Sequence, residues 1–176
     1  MPRLFVAIRP PEPVRAALLE AMGGIERARW QDDDQLHLTL AFVGEADGTQ
    51  ADDLMETLAE VESAVFEAEV AGVGHFESKG MPVAVWARVS LTDPLAQLQR
   101  RIERACRRAG LAAEKRAYRP HITLARLPRS AGAIGEWLAN HGTLRTEPWE
   151  VTGFTLYESH LRAGGSLYRP LVDYEF

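Results

Sequence analysis

"LHLTLAF" occupies residues 36–42 and "PHITLAR" occupies residues 120–126, two near-copies of one pattern: histidine, aliphatic residue, Thr, Leu, Ala. In an extended strand side chains alternate, so His37 and Thr39 share one face while Leu36, Leu38 and Leu40 share the other. His121 and Thr123 are placed in the same way, opposite Ile122 and Leu124. Each stretch therefore predicts a strand that turns an apolar face to a core and an imidazole plus a hydroxyl away from it, roughly 6–7 Å apart at Cα. From average residue frequencies, chance repetition of the pattern in a chain of this size is on the order of one in a thousand. Duplication accounts for a repeat, but not for the retention of a polar His and Thr on one face in both copies.

The segments around the two strands repeat in order. "RLFVAIR" (3–9) reads as a buried strand stopped by prolines, and "PEPVRAALLEAM" as a helix. A second helix is expected over 48–63, with Thr49 as its cap, then two strands over 64–76 and 82–91 joined at "ESKGM". The second half gives a helix over 93–110, the strand "HITLAR", a helix near 132–142 and a closing hairpin. "FES" (76–78) and "YES" (157–159) are placed at the turns of the two hairpins. The chain reads as an α+β fold: one domain over residues 1–176, two pseudo-symmetric, interleaved lobes from a duplicated β-α-β-α-β-β unit, with antiparallel sheets facing a central cleft and helices outside.

Composition narrows the function classes. The length of 176 residues suffices to bury a core without disulfides, and the single cysteine, Cys106, allows neither a bridge nor a Cys cluster for a metal. A net charge of −5 argues against wrapping a nucleic-acid duplex, while leaving room for a small basic pocket for one phosphate. The apolar run at the N-terminus is too short for a signal core or a membrane span, so a cytoplasmic protein is expected. Asp32, Asp33 and Asp34 form no ligand spacing with either histidine and read as a solvated turn or a helix-edge feature, so no metal is expected. A G-x-S-x-G elbow is absent, and "GVG" (72–74) lacks the rest of a phosphate loop.

Two imidazoles and two hydroxyls facing one cleft suit a reaction in which one group takes a proton and another gives one. Hydrolysis of a cyclic phosphodiester needs both, together with donors to the non-bridging oxygens as phosphorus becomes five-coordinate. The flanking residues carry further expectations. Trp30 and Tyr118 precede the motifs and would stack on a base or be buried, and His75, His141 and His160 lack a Thr two residues on and read as surface or turn residues.

With "RLFVAI" followed by prolines, "RW" before "LHLTLAFVGE", then "YRPHITLAR" and "LYESHLRAGGSLY", nearly the whole chain resembles the two-histidine phosphoesterases, and within them the bacterial RNA 2′,3′-cyclic phosphodiesterases, also called 2′-5′ RNA ligases. The resemblance implies His37 and His121 as the catalytic pair and Thr39 and Thr123 as phosphate ligands, opening a terminal 2′,3′-cyclic phosphate of RNA to a 2′-phosphomonoester without metal or cofactor. We take His121 as the base and His37 as the acid, although a nearly symmetric repeat leaves the order open. Joining the cyclic end to a 5′-hydroxyl is the same chemistry with another nucleophile, and a nucleotide-binding module without turnover is the non-enzymatic alternative. A monomer is expected.

Arg126 closes the second copy and is the candidate for a charge-assisted contact to the phosphate or the adjoining nucleotide. Strand parity puts it on the side of Ile122 and Leu124, away from His121, unless the strand twists or ends. Its counterpart, Phe42, is expected in the core rather than as a stacking platform, and Arg119 either holds substrate or only caps its strand.

Overall fold

The computed structural model describes residues 1–112 and 114–176. Ten strands and four helices follow in the order β1 (Arg3–Ile8), α1 (Glu12–Glu20), β2 (Arg29–Trp30), β3 (Leu38–Glu45), α2 (Gly48–Ala59), β4 (Phe66–Ala68), β5 (Val70–Ser78), β6 (Met81–Val89), α3 (Asp93–Arg108), β7 (His121–Arg126), α4 (Gly135–Asn140), β8 (Trp149–Val151), β9 (Gly153–Arg162) and β10 (Gly165–Glu175). Two four-stranded antiparallel sheets result, in the orders β10-β9-β1-β3 and β2-β7-β6-β5, with a two-stranded ribbon of β4 and β8.

Each sheet contains one histidine motif and strands from both halves of the chain. β1 has β3 on one side and β9 on the other, and β6 has β7 on one side and β5 on the other. Apart from the short β2, the repeat is β-α-β-α-β-β, running first from β1 to β5 and then from β6 to β9, with each unit's last strand lent to the other unit's sheet. The equivalent strands β4 and β8 pair with each other as a twofold relation requires: Phe66 faces Val151, Ala68 faces Trp149, and Glu67 faces Glu150 at the centre.

Local chemistry explains the boundaries. Asp47, not Thr49, caps α2: its side chain accepts from the Gln50 amide at 2.8 Å while the Gln50 side chain accepts from the Asp47 amide at 3.1 Å. This reciprocal box satisfies two otherwise orphaned donors, which a threonine two residues later would not do. Lys79 and Gly80, both with positive φ, form the tight turn between β5 and β6, so "FES" does sit at a hairpin end. "YES" does not: β9 runs on to Arg162, and Tyr157 lies well inside it, paired with Phe5 and Pro170.

One large apolar core lies between the sheets and the helices, with Leu4, Val6, Leu36, Leu38, Leu40, Ile122 and Leu124 buried in it. α2 and α3 pack together, and α3 covers β3. Cys106 is buried on α3, where desolvation pushes its thiol up to about 11, leaving an inert packing residue. Among the described residues no helix is long and apolar enough to cross a membrane.

Candidate active site

His37, Thr39, His121 and Thr123 line one cleft of about 420 Å³ between the two sheets, with Phe42 and Arg126 on its wall. Arg3, Gln31, Gln35, Ser159 and Ser166 add polar groups to its rim. Leu36, Leu38, Ile122 and Leu124 are fully buried behind the two motifs, as alternation requires.

A β-bulge in each motif resolves the parity of Arg126. Along β6 and β7, Trp86 pairs with Thr123 and Val85 with Ala125, so Leu124 has no partner. Along β1 and β3, Ala7 pairs with Thr39 and Val6 with Ala41, so Leu40 is passed over in the same way. An extra residue in one strand reverses the alternation beyond it. Arg126 is thereby turned to the face of His121, and Phe42 to the face of His37. The expectation that Phe42 belongs to the core is overturned: its side chain is 58 % exposed, and the Arg3 guanidinium lies 5.8 Å from its ring centre.

Each imidazole rests on aromatic rings of neighbouring strands. His37 meets Tyr157 edge-on at 4.6 Å, Tyr168 at 5.5 Å and Phe5 at 6.1 Å. His121 meets Phe76 at 4.8 Å and Trp86 at 5.5 Å. Phe76 and Tyr157 are the first letters of "FES" and "YES", so the lent strands carry the ring that braces the other half's histidine. Gly74 makes room for this packing, since a Cβ there would run into the indole of Trp86, which is itself buried. Sequence reading missed these aromatic residues as parts of the site, although the repeated triplet was visible.

The two histidines differ in their hydrogen bonds. His121 Nδ1 lies 2.7 Å from the carbonyl of Arg119, which accepts from it and leaves Nε2 with its lone pair. This fixes how Arg119 takes part: its backbone orients His121, while its side chain stacks over Phe76 at 5.9 Å, off the shared cleft. Neither ring nitrogen of His37 has a partner in hydrogen-bond geometry, although the Gln35 carbonyl, also two residues back, is near enough to favour the protonated form. The loop before His37 is fastened elsewhere. Arg9 donates to the Asp33 and Leu36 carbonyls, and both Arg9 and Arg15 pair with the Asp33 carboxylate. Asp33 opens the short 3-10 turn Asp33–Gln35, the helix-edge reading of the two, and is ion-paired rather than freely solvated; Arg15 above all holds its carboxyl below the usual range.

Burial lowers the pKa of both histidines. For His37, desolvation is the main cause, with Arg9 and Arg15 adding repulsion, and the value falls to about 4. His121 shifts the same way, again mainly by desolvation. Unfolded, His37 would take up a proton near pH 6.5; folded, it does so only near 4, so its neutral burial stabilises the fold fully above about pH 6.5 and the contribution drains away as pH falls to about 4. A gap of this size corresponds to about 3 kcal/mol. Urea unfolding should accordingly show wild-type protein losing more stability between pH 7 and pH 4.5 than His37→Gln; equal losses would contradict it.

Other candidates fall outside the cleft. Trp30 packs on Trp137 at 5.9 Å, and the Tyr118 hydroxyl donates to the Thr39 carbonyl at 2.9 Å, on the open edge of β3. His75 and His160 pair with Glu77 and Glu158, and His141 bonds the Trp137 carbonyl at the end of α4. Among the described residues no group of His, Cys, Asp and Glu is arranged to hold a metal ion.

Comparison with known proteins gives the family. The family described as the 2′-5′ RNA ligase superfamily matches residues 9–162. A Thermus thermophilus RNA 2′,3′-cyclic phosphodiesterase is 34 % identical over 98 % of this chain and 89 % of its own length, and one from Archaeoglobus fulgidus is 27 % identical over 98 % and 99 %. Among solved structures, a Thermus thermophilus protein superposes with a TM-score of 0.79 at 27 % identity, covering 98 % of this chain and 97 % of that one. Escherichia coli LigT complexed with 3′-AMP superposes with a TM-score of 0.77 at 26 % identity, covering 99 % and 98 %. With its paired H-x-T strands, this chain belongs to the 2′-5′ RNA ligase superfamily, within the two-histidine phosphoesterases.

Proposed function

We infer that the protein is an RNA 2′,3′-cyclic phosphodiesterase, a hydrolase that opens terminal 2′,3′-cyclic phosphates. The observation that carries this reading is the meeting of both H-x-T motifs in one cleft, with a bulge at the same place in each turning Arg126 toward the same space. Full-length similarity to curated enzymes of that activity supports it.

The geometry favours His121 as the base, because its Nδ1 is committed to the Arg119 carbonyl and its Nε2 lone pair is free. Water attacks phosphorus as His121 Nε2 takes its proton; the bond from phosphorus to O3′ breaks, and O3′ takes a proton from His37. The product is a 2′-phosphomonoester with a free 3′-hydroxyl. His37 must be protonated for this step, against the desolvation that keeps it neutral when the cleft is empty. The negative charge of the entering phosphodiester offsets that desolvation and supplies the needed upward shift. Thr39 and Thr123 donate to the non-bridging oxygens, and Arg126 balances their charge. Residues 1–176 act as one catalytic domain, a monomer suffices, and no metal takes part.

The purified protein in EDTA should convert an oligonucleotide ending in a 2′,3′-cyclic phosphate into the 2′-phosphate product. Recovery of a 3′-phosphate, or dependence on added metal, would contradict the mechanism. Adding an oligonucleotide with a 5′-hydroxyl tests transfer to that hydroxyl in place of water, read as a longer 2′-5′-linked product.

A further inference from the structure

Each histidine motif has a main-chain carbonyl two residues before its imidazole, and the two carbonyls are restrained in different ways. Arg119 precedes Pro120, whose ring limits the backbone on either side, and the Arg119 carbonyl accepts from His121 Nδ1 at 2.7 Å. Leu36 stands where the second copy has that proline, so the Gln35 carbonyl needs another restraint. The Gln35 side chain supplies one, being tied at both ends. Its Oε1 accepts from the Asp32 amide at 2.9 Å, closing the turn before His37, and its Nε2 donates to the Ser166 carbonyl at 2.9 Å.

Ser166 lies in the part of the β9–β10 hairpin that projects beyond β1. The pairing of β1 with β9 stops at Arg3 and Ser159, so residues 160–167 continue as a two-stranded ribbon, which alone is marginally stable. Among the described residues, Gln35 makes the one side-chain hydrogen bond that joins this ribbon to the rest of the protein. Gly165, at φ +122°, permits the approach, since a Cβ there would come 3.4 Å from Gln35 Nε2. Leu161 and Ser166 of the ribbon line the cleft, and Tyr168 at its base meets the His37 ring.

Resting on the phosphodiesterase reading, we propose that Gln35 is a positioning residue for the acid: held by the turn on one side and the ribbon on the other, it presents its carbonyl to His37 Nδ1, so that the protonated ring donates there and turns its Nε2–H toward O3′. Both ring nitrogens of His37 are buried and unpartnered, which is costly for a neutral imidazole and far more so for a charged one. Of the groups around it, the Gln35 carbonyl does most to favour the proton, Asp34 adds a little, and Arg9 and Arg15 oppose it. Asp33 is spent on those two arginines. Arg3, Tyr157 and Tyr168 on the same sheet, with His121 and Arg126 across the cleft, complete the titratable and charged groups about the ring. A protonated His37 thus depends on one carbonyl, and that carbonyl on one side chain.

Gln35→Met keeps the length of the side chain and removes both of its hydrogen bonds, leaving every charged group around His37 in place. On a 2′,3′-cyclic phosphate end, kcat above neutral pH should fall about tenfold with KM changed by less than about threefold, and the alkaline limb of the kcat profile, set by the acid, should move down by about one pH unit. The acidic limb, set by His121, should stay. Gly165→Ala leaves Gln35 intact but crowds the ribbon off its Nε2, and should move the same limb the same way by a smaller step. An alkaline limb that does not move in Gln35→Met, or in Gly165→Ala should the first variant not fold, would overturn the role of Gln35, as would a loss carried by KM alone or a shift of the acidic limb. Wild-type protein that hydrolyses no cyclic phosphate end would overturn the phosphodiesterase reading instead.

Discussion

Replacing either His37 or His121 by alanine is expected to lower kcat/KM on a 2′,3′-cyclic phosphate end by about 10²–10⁴. The range follows from losing one member of the proposed acid-base pair while Thr39, Thr123, Arg126 and the shape of the cleft stay in place. The double variant should fall little below the weaker single one, because the two proton transfers belong to one displacement. Each histidine is also a packing residue, so circular dichroism and urea unfolding should accompany the kinetics; His37 is 7 % exposed and rests on three aromatic rings. Full activity in either folded single variant would remove the two-histidine mechanism. The two variants should also differ in pH dependence: without His37 the requirement for a protonated group disappears, and the fall in rate toward high pH goes with it.

The second large effect is on stability. Leu124→Ala is expected to lower the unfolding free energy by about 2–5 kcal/mol, since Leu124 is fully buried and its neighbours in a close-packed core cannot collapse to fill the space. Leu40→Ala should behave alike, being 2 % exposed at the matching bulge. Leu91→Ala, with 53 % of the residue exposed, is the control and should stay within about 0.5 kcal/mol of wild type. Urea midpoints with unchanged slopes would report these differences. A change at Leu124 no larger than that at Leu91 would show that the bulged residue is not the anchor its burial indicates.

The reading of sequence against structure divides along a physical line. His37, Thr39, His121 and Thr123 could be placed because alternation acts over two residues and the pattern occurs twice. The fold class followed from the same repeat, and the helices from their spacing of apolar residues. Phe42 went astray because nothing in "LTLAF" announces a bulge: Leu40 and Ala41 are ordinary strand residues, and the irregularity comes from pairing with β1. Arg126 was caught in the same difficulty, and its bulge likewise depends on β6. "FES" and "YES" stood out as a repeat, yet their work, bracing the opposite half's histidine, depends on strands joined across the whole chain. The cap of α2 was two residues off because Asp47 and Thr49 are both good capping residues, and only the Gln50 side chain closing the box decides between them.

The exchange of last strands between the two halves also sets a schedule for synthesis. β1 pairs with β9, Arg3 opposite Ser159, so the inner strand of the sheet that carries His37 waits for almost the whole chain to be made. At ordinary translation speeds that wait is on the order of ten seconds. Throughout it, the apolar run Leu4–Ile8 has β3 on one flank and an open edge on the other. The arrangement that lets each half steady the other's histidine thus leaves a sticky strand unpaired on the ribosome, and the nascent chain, more than the finished one, is where aggregation or a helper protein would act.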